Sequence, residues 1–147
     1  MTKRLQVLLA VCLLASTAAL AQAADDDAAI KEVVDRGYVQ GVHIDADAAK
    51  MRSGMHDSFI MFVRNGDKVS ALTRDAWIER IEAGKAQPKP EKKPETRADI
   101  DVLDRSVDTA VVRVKLYRDG KQIFTDYISL YRFPDGWKMV GKVFQRH

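Results

Sequence analysis

The sequence predicts an α+β domain in which a curved, cone-shaped antiparallel or mixed sheet packs on three helices. Three observations predict it. The last third, Thr109 to His147, holds three alternating apolar runs joined by turn signals at Asp119-Gly120 and Asp135-Gly136, the pattern of an antiparallel meander. The first part carries apolar residues at three- and four-residue spacing, the mark of amphipathic helices. The element order is helix, helix, strand, strand, helix and then four strands, so the helices are available to cover one face of a single sheet.

Each element has its own signals. Asp25-Asp26-Asp27 suits a helix start, and Ile30, Val33, Val34, Tyr38 and Val42 mark one amphipathic helix over about residues 28–42. Gly37 and Gly41 lie beside that stripe; glycine costs about 0.5–1 kcal/mol in a helix, which close backbone packing would explain. A second helix over 46–52 starts behind Asp45 as N-cap and stops at Gly54. Residues 56–63 form a strand with apolar side chains on both faces, so cover on both sides, at least in part, is expected. Asn65-Gly66 turns the chain into a short strand over 68–72. Thr73 caps a third helix with Asp75 in its first turn, Trp77, Ile78 and Ile81 facing inward, and Gly84 at its end. Residues 86–96 hold three prolines and alternating charge and read as a mobile, polyproline-like loop. Glu91 and Glu95 interrupt its basic residues and no aromatic is interleaved, so it is solvated cover and not a binding strip. Strands follow over 100–103, 110–117, 123–132 and 137–145, with a turn near Ser106 to Asp108.

A chain of 147 residues has room for one domain. Lys3 and Arg4, the apolar run from Leu5 to Leu20 and the small-residue exit Ala21-Gln22-Ala23 predict a signal peptide over 1–23, cleaved after Ala23, with the domain over 24–147. With only about 15 apolar residues the run is short for a membrane span. The protein is therefore expected in the periplasm or secreted, with no membrane attachment after cleavage. The sole cysteine, Cys12, leaves with the leader, so neither a disulfide nor a thiolate mechanism is available to the rest. Without Lys3 and Arg4 the 24 basic residues fall to 22 against 21 acidic, a net charge of +1, which removes the argument for nucleic acid as a partner.

Several phrases resemble the nuclear transport factor 2-like superfamily, the cone-shaped, cystatin-like group that includes SnoaL-like polyketide cyclases and ketosteroid isomerases. They are Phe124-Thr125-Asp126-Tyr127-Ile128-Ser129-Leu130-Tyr131, then Asp135-Gly136-Trp137-Lys138-Met139-Val140-Gly141-Lys142-Val143-Phe144, with Tyr38-Val39-Gln40-Gly41 and His56-Asp57-Ser58-Phe59. The chain looks most similar to the branch labelled putative lumazine-binding, over residues 28–146 apart from the proline-rich loop. The resemblance implies a cavity inside the cone and a homodimer formed through the sheet. It does not carry over isomerase chemistry. Tyr38 sits where those enzymes keep a helix tyrosine, but Met61-Phe62-Val63-Arg64 offers no carboxylate where their general base would stand.

The site residues follow from strand alternation. Asp126 shares a face with Phe124, Ile128 and Leu130, which points a carboxylate into the core, where it needs a partner. Lys142, on a face with Val140 and Phe144, is that partner in a structural Asp126–Lys142 pair; the sharper reading makes Asp126 a pocket acid that orients a ligand. Tyr38, Met55, Phe59, Met61 and Trp77, with Asp126, are the candidate ligand-binding residues, and Met51 belongs to the same wall. His43, His56 and His147 lack ligand spacing, so no metal and no cofactor is expected; His43 reads as a helix-terminal imidazole and His56 as a strand-entrance residue. The function expected is non-catalytic binding of a small apolar or aromatic ligand. One alternative is a hydrolase, isomerase or cyclase using the same cavity with Asp126 or His56. Another is a dimeric interaction module built on the face bearing Thr125, Tyr127, Ser129 and Tyr131.

Overall fold

The computed structural model describes residues 25–88 and 91–147. The expected leader lies outside the described residues, as do positions 89–90 of the proline-rich loop. The first helix, α1, is α-helical over 25–34 and continues as a π-helix over Asp35–Ile44. Then come α2 (Ala48–Gly54), β1 (Met55–Asn65), β2 (Lys68–Thr73), α3 (Arg74–Gly84), β3 (Thr96–Ser106), β4 (Thr109–Arg118), β5 (Lys121–Phe133) and β6 (Gly136–Arg146). This is the expected order of elements and the α+β class. The six strands form one mixed sheet in the order β2-β1-β6-β5-β4-β3. All neighbours are antiparallel except β1 and β6, which run parallel.

The core lies between the helices and the inner sheet face. Ile30, Val34 and Tyr38 of α1 and Met51 of α2 are fully buried, as are Val112, Val114 and Leu116 of β4 and Ile128 of β5. Strand alternation decides which side is covered: every second residue is buried along β4 and over 126–130 of β5. On β1 the second face is covered only in part, with Ile60 half-buried. Phe59 and Met61 are buried, but Phe62 is 45% exposed, because the helices pack on one side only.

Local differences have local causes. The α2 cap is Asp47 and not Asp45: Asp47 accepts from the backbone N–H groups of Ala49 and Lys50. Asp45 is occupied elsewhere. Its N–H donates to the Gln40 carbonyl at 2.8 Å and its carboxylate takes Lys50 Nζ at 2.8 Å, while Ala46 turns the chain with φ 52°. The first hairpin turns on Gly66-Asp67, since Asn65 still pairs with Lys68. The strand β3 begins four residues earlier than expected. The Asp119 turn anchors it, its N–H donating to the Glu95 carbonyl and its carboxylate accepting from the Glu95 N–H.

The junction of α1 and α2 explains both internal glycines. A Cβ on Gly37 would meet Gly54 Cα at 2.8 Å, and one on Gly41 would meet the Met51 backbone nitrogen at 3.2 Å. The two helices touch backbone to backbone, which sets α1 close enough to the sheet for Tyr38 to reach β5 and β6.

Candidate functional site

Three polar side chains meet in the apolar interior. The Tyr38 hydroxyl donates to Asp126 Oδ2 at 2.8 Å, and Lys142 Nζ donates to Asp126 Oδ1 at 2.6 Å and to the Tyr38 oxygen at 2.9 Å. Tyr38 and Asp126 are 0% exposed and Lys142 is 5% exposed. The register puts them together: on the inner face Asp126 pairs with Phe144 and Ile128 with Lys142, so the lysine lies one step diagonally from the carboxylate. Four rings surround the ammonium, with centroids at 4.6 Å for Tyr38 and Phe144, 5.5 Å for Trp77 and 5.9 Å for Phe124. Burial lowers the Lys142 pKa while Asp126 opposes it. Burial first, then the Asp126 charge and hydrogen bond, hold the Tyr38 phenol well above its ordinary value. Both carboxylate oxygens of Asp126 are engaged, so the triad is internally satisfied.

The next residue outward is not satisfied. His43 stands edge-on to the Tyr38 ring, centroids 4.9 Å apart, and packs against Phe124 at 6.1 Å. Its Nε2 is buried with no hydrogen-bond partner. Burial, then the charges of Lys142 and Arg118, push its pKa down to about 3, so the imidazole is neutral at physiological pH and Nε2 can accept or donate according to tautomer. The π-helical segment is what brings it there. In a π-helix residues five apart come into register. Tyr38 and His43 are such a pair, as are Asp35 and Gln40, whose side chains bond at 2.6 Å.

His43 also lines a cavity of about 500 Å³ between the end of α1, the end of α3 and the proline-rich loop, with apolar Ile44, Ile81 and Pro94 and charged Asp45, Lys85 and Lys93. Among the described residues no group of histidine, cysteine and acidic side chains is placed to hold a metal.

The family described as "Putative lumazine-binding" matches residues 25–145. The chain belongs to this family. Its fold is that of the nuclear transport factor 2-like superfamily, and solved structures agree. A nuclear transport factor 2-like protein of unknown function from Silicibacter pomeroyi is 19% identical, with a TM-score of 0.67 over 85% of this chain and 98% of that one. Another from Shewanella baltica is 24% identical, with a TM-score of 0.62 over 81% of this chain and 91% of that one. A protein from Novosphingobium aromaticivorans described as a "putative aromatic ring hydroxylase" is 15% identical, with a TM-score of 0.64 over 83% of this chain and 89% of that one. At these identities the likeness is one of fold. No curated protein matches.

Within this family member, the candidates read from sequence fall into two groups. Tyr38, Asp126 and Lys142 form the triad, and Trp77 lies beside it, 6.2 Å from the Tyr38 ring and 6.1 Å from that of Phe59. Met55, Phe59 and Met61 are buried in the apolar core. None of the six candidate ligand-binding residues lines the cavity at His43, whose wall comes from helix ends and loop. His43 was legible only as a helix-terminal imidazole, because a spacing of five from Tyr38 carries no meaning in an α-helix. His56 is at the entrance of β1, stacked on Phe133 at 4.4 Å and bonded to Ser58.

Proposed function

We propose that the protein binds a small planar, largely apolar molecule in the cavity at His43 and does not transform it. The observation that carries this reading is His43, a neutral imidazole with a buried, partnerless Nε2, which lines a cavity together with apolar Ile44, Ile81 and Pro94 and charged Asp45, Lys85 and Lys93. An unpartnered buried nitrogen costs about 1–3 kcal/mol, which a ligand would relieve by drawing the imidazole round to hydrogen-bond it. The volume suits a small heterocycle. The triad supports binding over catalysis: Asp126 is fully buried, holds Tyr38 and Lys142, and does not line the cavity where a substrate would sit. The family name makes lumazine, a flat bicycle with ring carbonyl and nitrogen groups, the first ligand to try. Titration of the protein with lumazine, and native mass spectrometry of protein purified from cells, form the test. Saturable binding, or a retained mass lost on unfolding, that disappears in His43→Phe supports the reading. No binding by either route, or binding unchanged in His43→Phe, overturns it.

The same proposal places the protein outside the cytoplasm. It rests on the basic, apolar and small-residue pattern over 1–23, and a purified mass corresponding to 24–147 would support it, whereas retention of the leader would refute it. A homodimer is a second proposal, favoured by the outer sheet face. Tyr127 and Tyr131 of β5 are 43% and 50% exposed, and Val143 of β6, directly opposite Tyr127, is 50% exposed. With Phe62 they make an apolar, aromatic surface of the kind interfaces use. In ultracentrifugation the wild type should sediment as a dimer and Tyr127→Lys as a monomer; a monomeric wild type ends the idea.

A further inference from the structure

The start of α1 is fastened to the sheet. Asp26 is 7% exposed, and its Oδ2 forms an ion pair with Arg132 Nη2 at 2.5 Å and accepts from Arg105 Nη1 at 3.2 Å. Asp27 accepts from Arg105 Nε at 3.1 Å. The arginines belong to β5 and β3, so two strands hold one helical turn. Arg132 is itself held in place. Its backbone N–H donates to the Asp108 carbonyl at 2.8 Å, and its guanidinium carbon lies 4.8 Å from the Trp137 ring centroid. Four residues beyond Asp26, Ile30 is fully buried. Charge complement to a helix end would not by itself bury Asp26 or recruit partners from two strands.

That turn adjoins the bond at which the sequence predicts removal of the leader. Asp25 and Asp26 are the second and third residues beyond the Ala23–Ala24 bond, and the chain is helical from Asp25 onward. A peptidase takes several residues on each side of the bond it cuts in extended form. Extension here would unwind the first turn and draw Asp26 out from between two guanidinium groups. Both arginines would then lose the carboxylate they share, so the opening is costly and rare in the folded domain. Termini are open to proteolysis unless they are tied down, and this one is tied. Both arginines also lie well down the chain. The turn stays open to a peptidase until β3 and β5 have been made and paired.

We propose that the ion pairs of Asp26 and Asp27 with Arg105 and Arg132 are a latch that orders processing before folding: the leader is removed from the unfolded chain, and a precursor that folds first keeps it. The proposal rests on the leader reading above. The test sets the folded full-length precursor beside a synthetic peptide of residues 1–35, each treated with a leader peptidase in detergent micelles and followed by mass spectrometry. The peptide should be cut between Ala23 and Ala24, and the folded precursor at least about tenfold more slowly. Arg105→Gln and Arg132→Gln precursors should each be cut about fivefold or more faster than the wild type. Arg113→Gln, which breaks the pair with Asp101 between β4 and β3 instead, should not be. Circular dichroism of the same samples reports whether each variant is folded, and Asp27→Asn, which removes a single contact, stands in for one that is not. Equal cutting of folded precursor and peptide, or arginine variants no faster than Arg113→Gln, overturns the latch and leaves the leader reading standing. A peptide left uncut at Ala23–Ala24 sinks the leader reading, and the latch with it.

Discussion

His43 and the Tyr38–Asp126–Lys142 triad are neighbours with opposite energetics. The pKa of His43 is about 3 in the folded chain against an ordinary 6.5, so between those values the unfolded chain binds a proton that the folded one refuses. Its contribution is therefore fully present above pH 6.5 and is lost as pH falls through that window, by up to about 1.4 kcal/mol per pH unit. Urea melts between about pH 4 and 7 should show a shallower pH slope in His43→Phe than in the wild type; parallel slopes would refute this. In the triad, removing one charge leaves the other buried alone. Asp126→Asn should cost about 3–5 kcal/mol, and Tyr38→Phe, which strands one donor and one acceptor, about 1–3 kcal/mol. The double change Asp126→Leu with Lys142→Met should recover most of the first loss, since buried pairs gain little over apolar packing. Denaturant midpoints of the single and double variants decide this: additive losses would mean that the residues do not act as a unit.

At the scale of elements, α1 shows what periodicity can and cannot reveal. Its apolar stripe at three- and four-residue spacing located the helix and its buried face, because Ile30, Val34 and Tyr38 keep that spacing into the core. The π-helical segment was not legible: an i→i+5 ladder is set by packing, and no residue type signals it. The glycines were legible as a packing demand but not as to partner. With Gly37 Cβ space filled by Gly54 Cα at 2.8 Å, Gly37→Ala must push two backbones apart. We expect a loss of about 1–3 kcal/mol in chemical denaturation, against the small gain that alanine gives in an open helix. An unchanged or raised midpoint would show that the helix pair yields freely. The turns teach a similar lesson. Asp119-Gly120 falls in the turn as read, both residues with positive φ, whereas the first hairpin slipped by one residue because Asn65 found a partner in Lys68.

For the whole molecule, the α+β order and the inward face of the meander were written in alternation and turn residues, and Asp126 stood out as a carboxylate on an apolar face. The parallel joint between β1 and β6 was not, since pairing across distant strands leaves no local mark. Nor was the cavity at His43, which exists only where two helix ends and a loop converge. That joint also orders events in time. In the sheet β2-β1-β6-β5-β4-β3, β6 alone bridges the β1–β2 hairpin and the β3–β5 meander, and it follows every other strand along the chain. A ribosome therefore exposes both halves before the piece that unites them. A nascent chain paused ahead of Gly136 holds two unjoined fragments, with Asp126 made but its lysine still to come. The cone closes last, around its own charge, and shelter for the waiting apolar faces is needed until then.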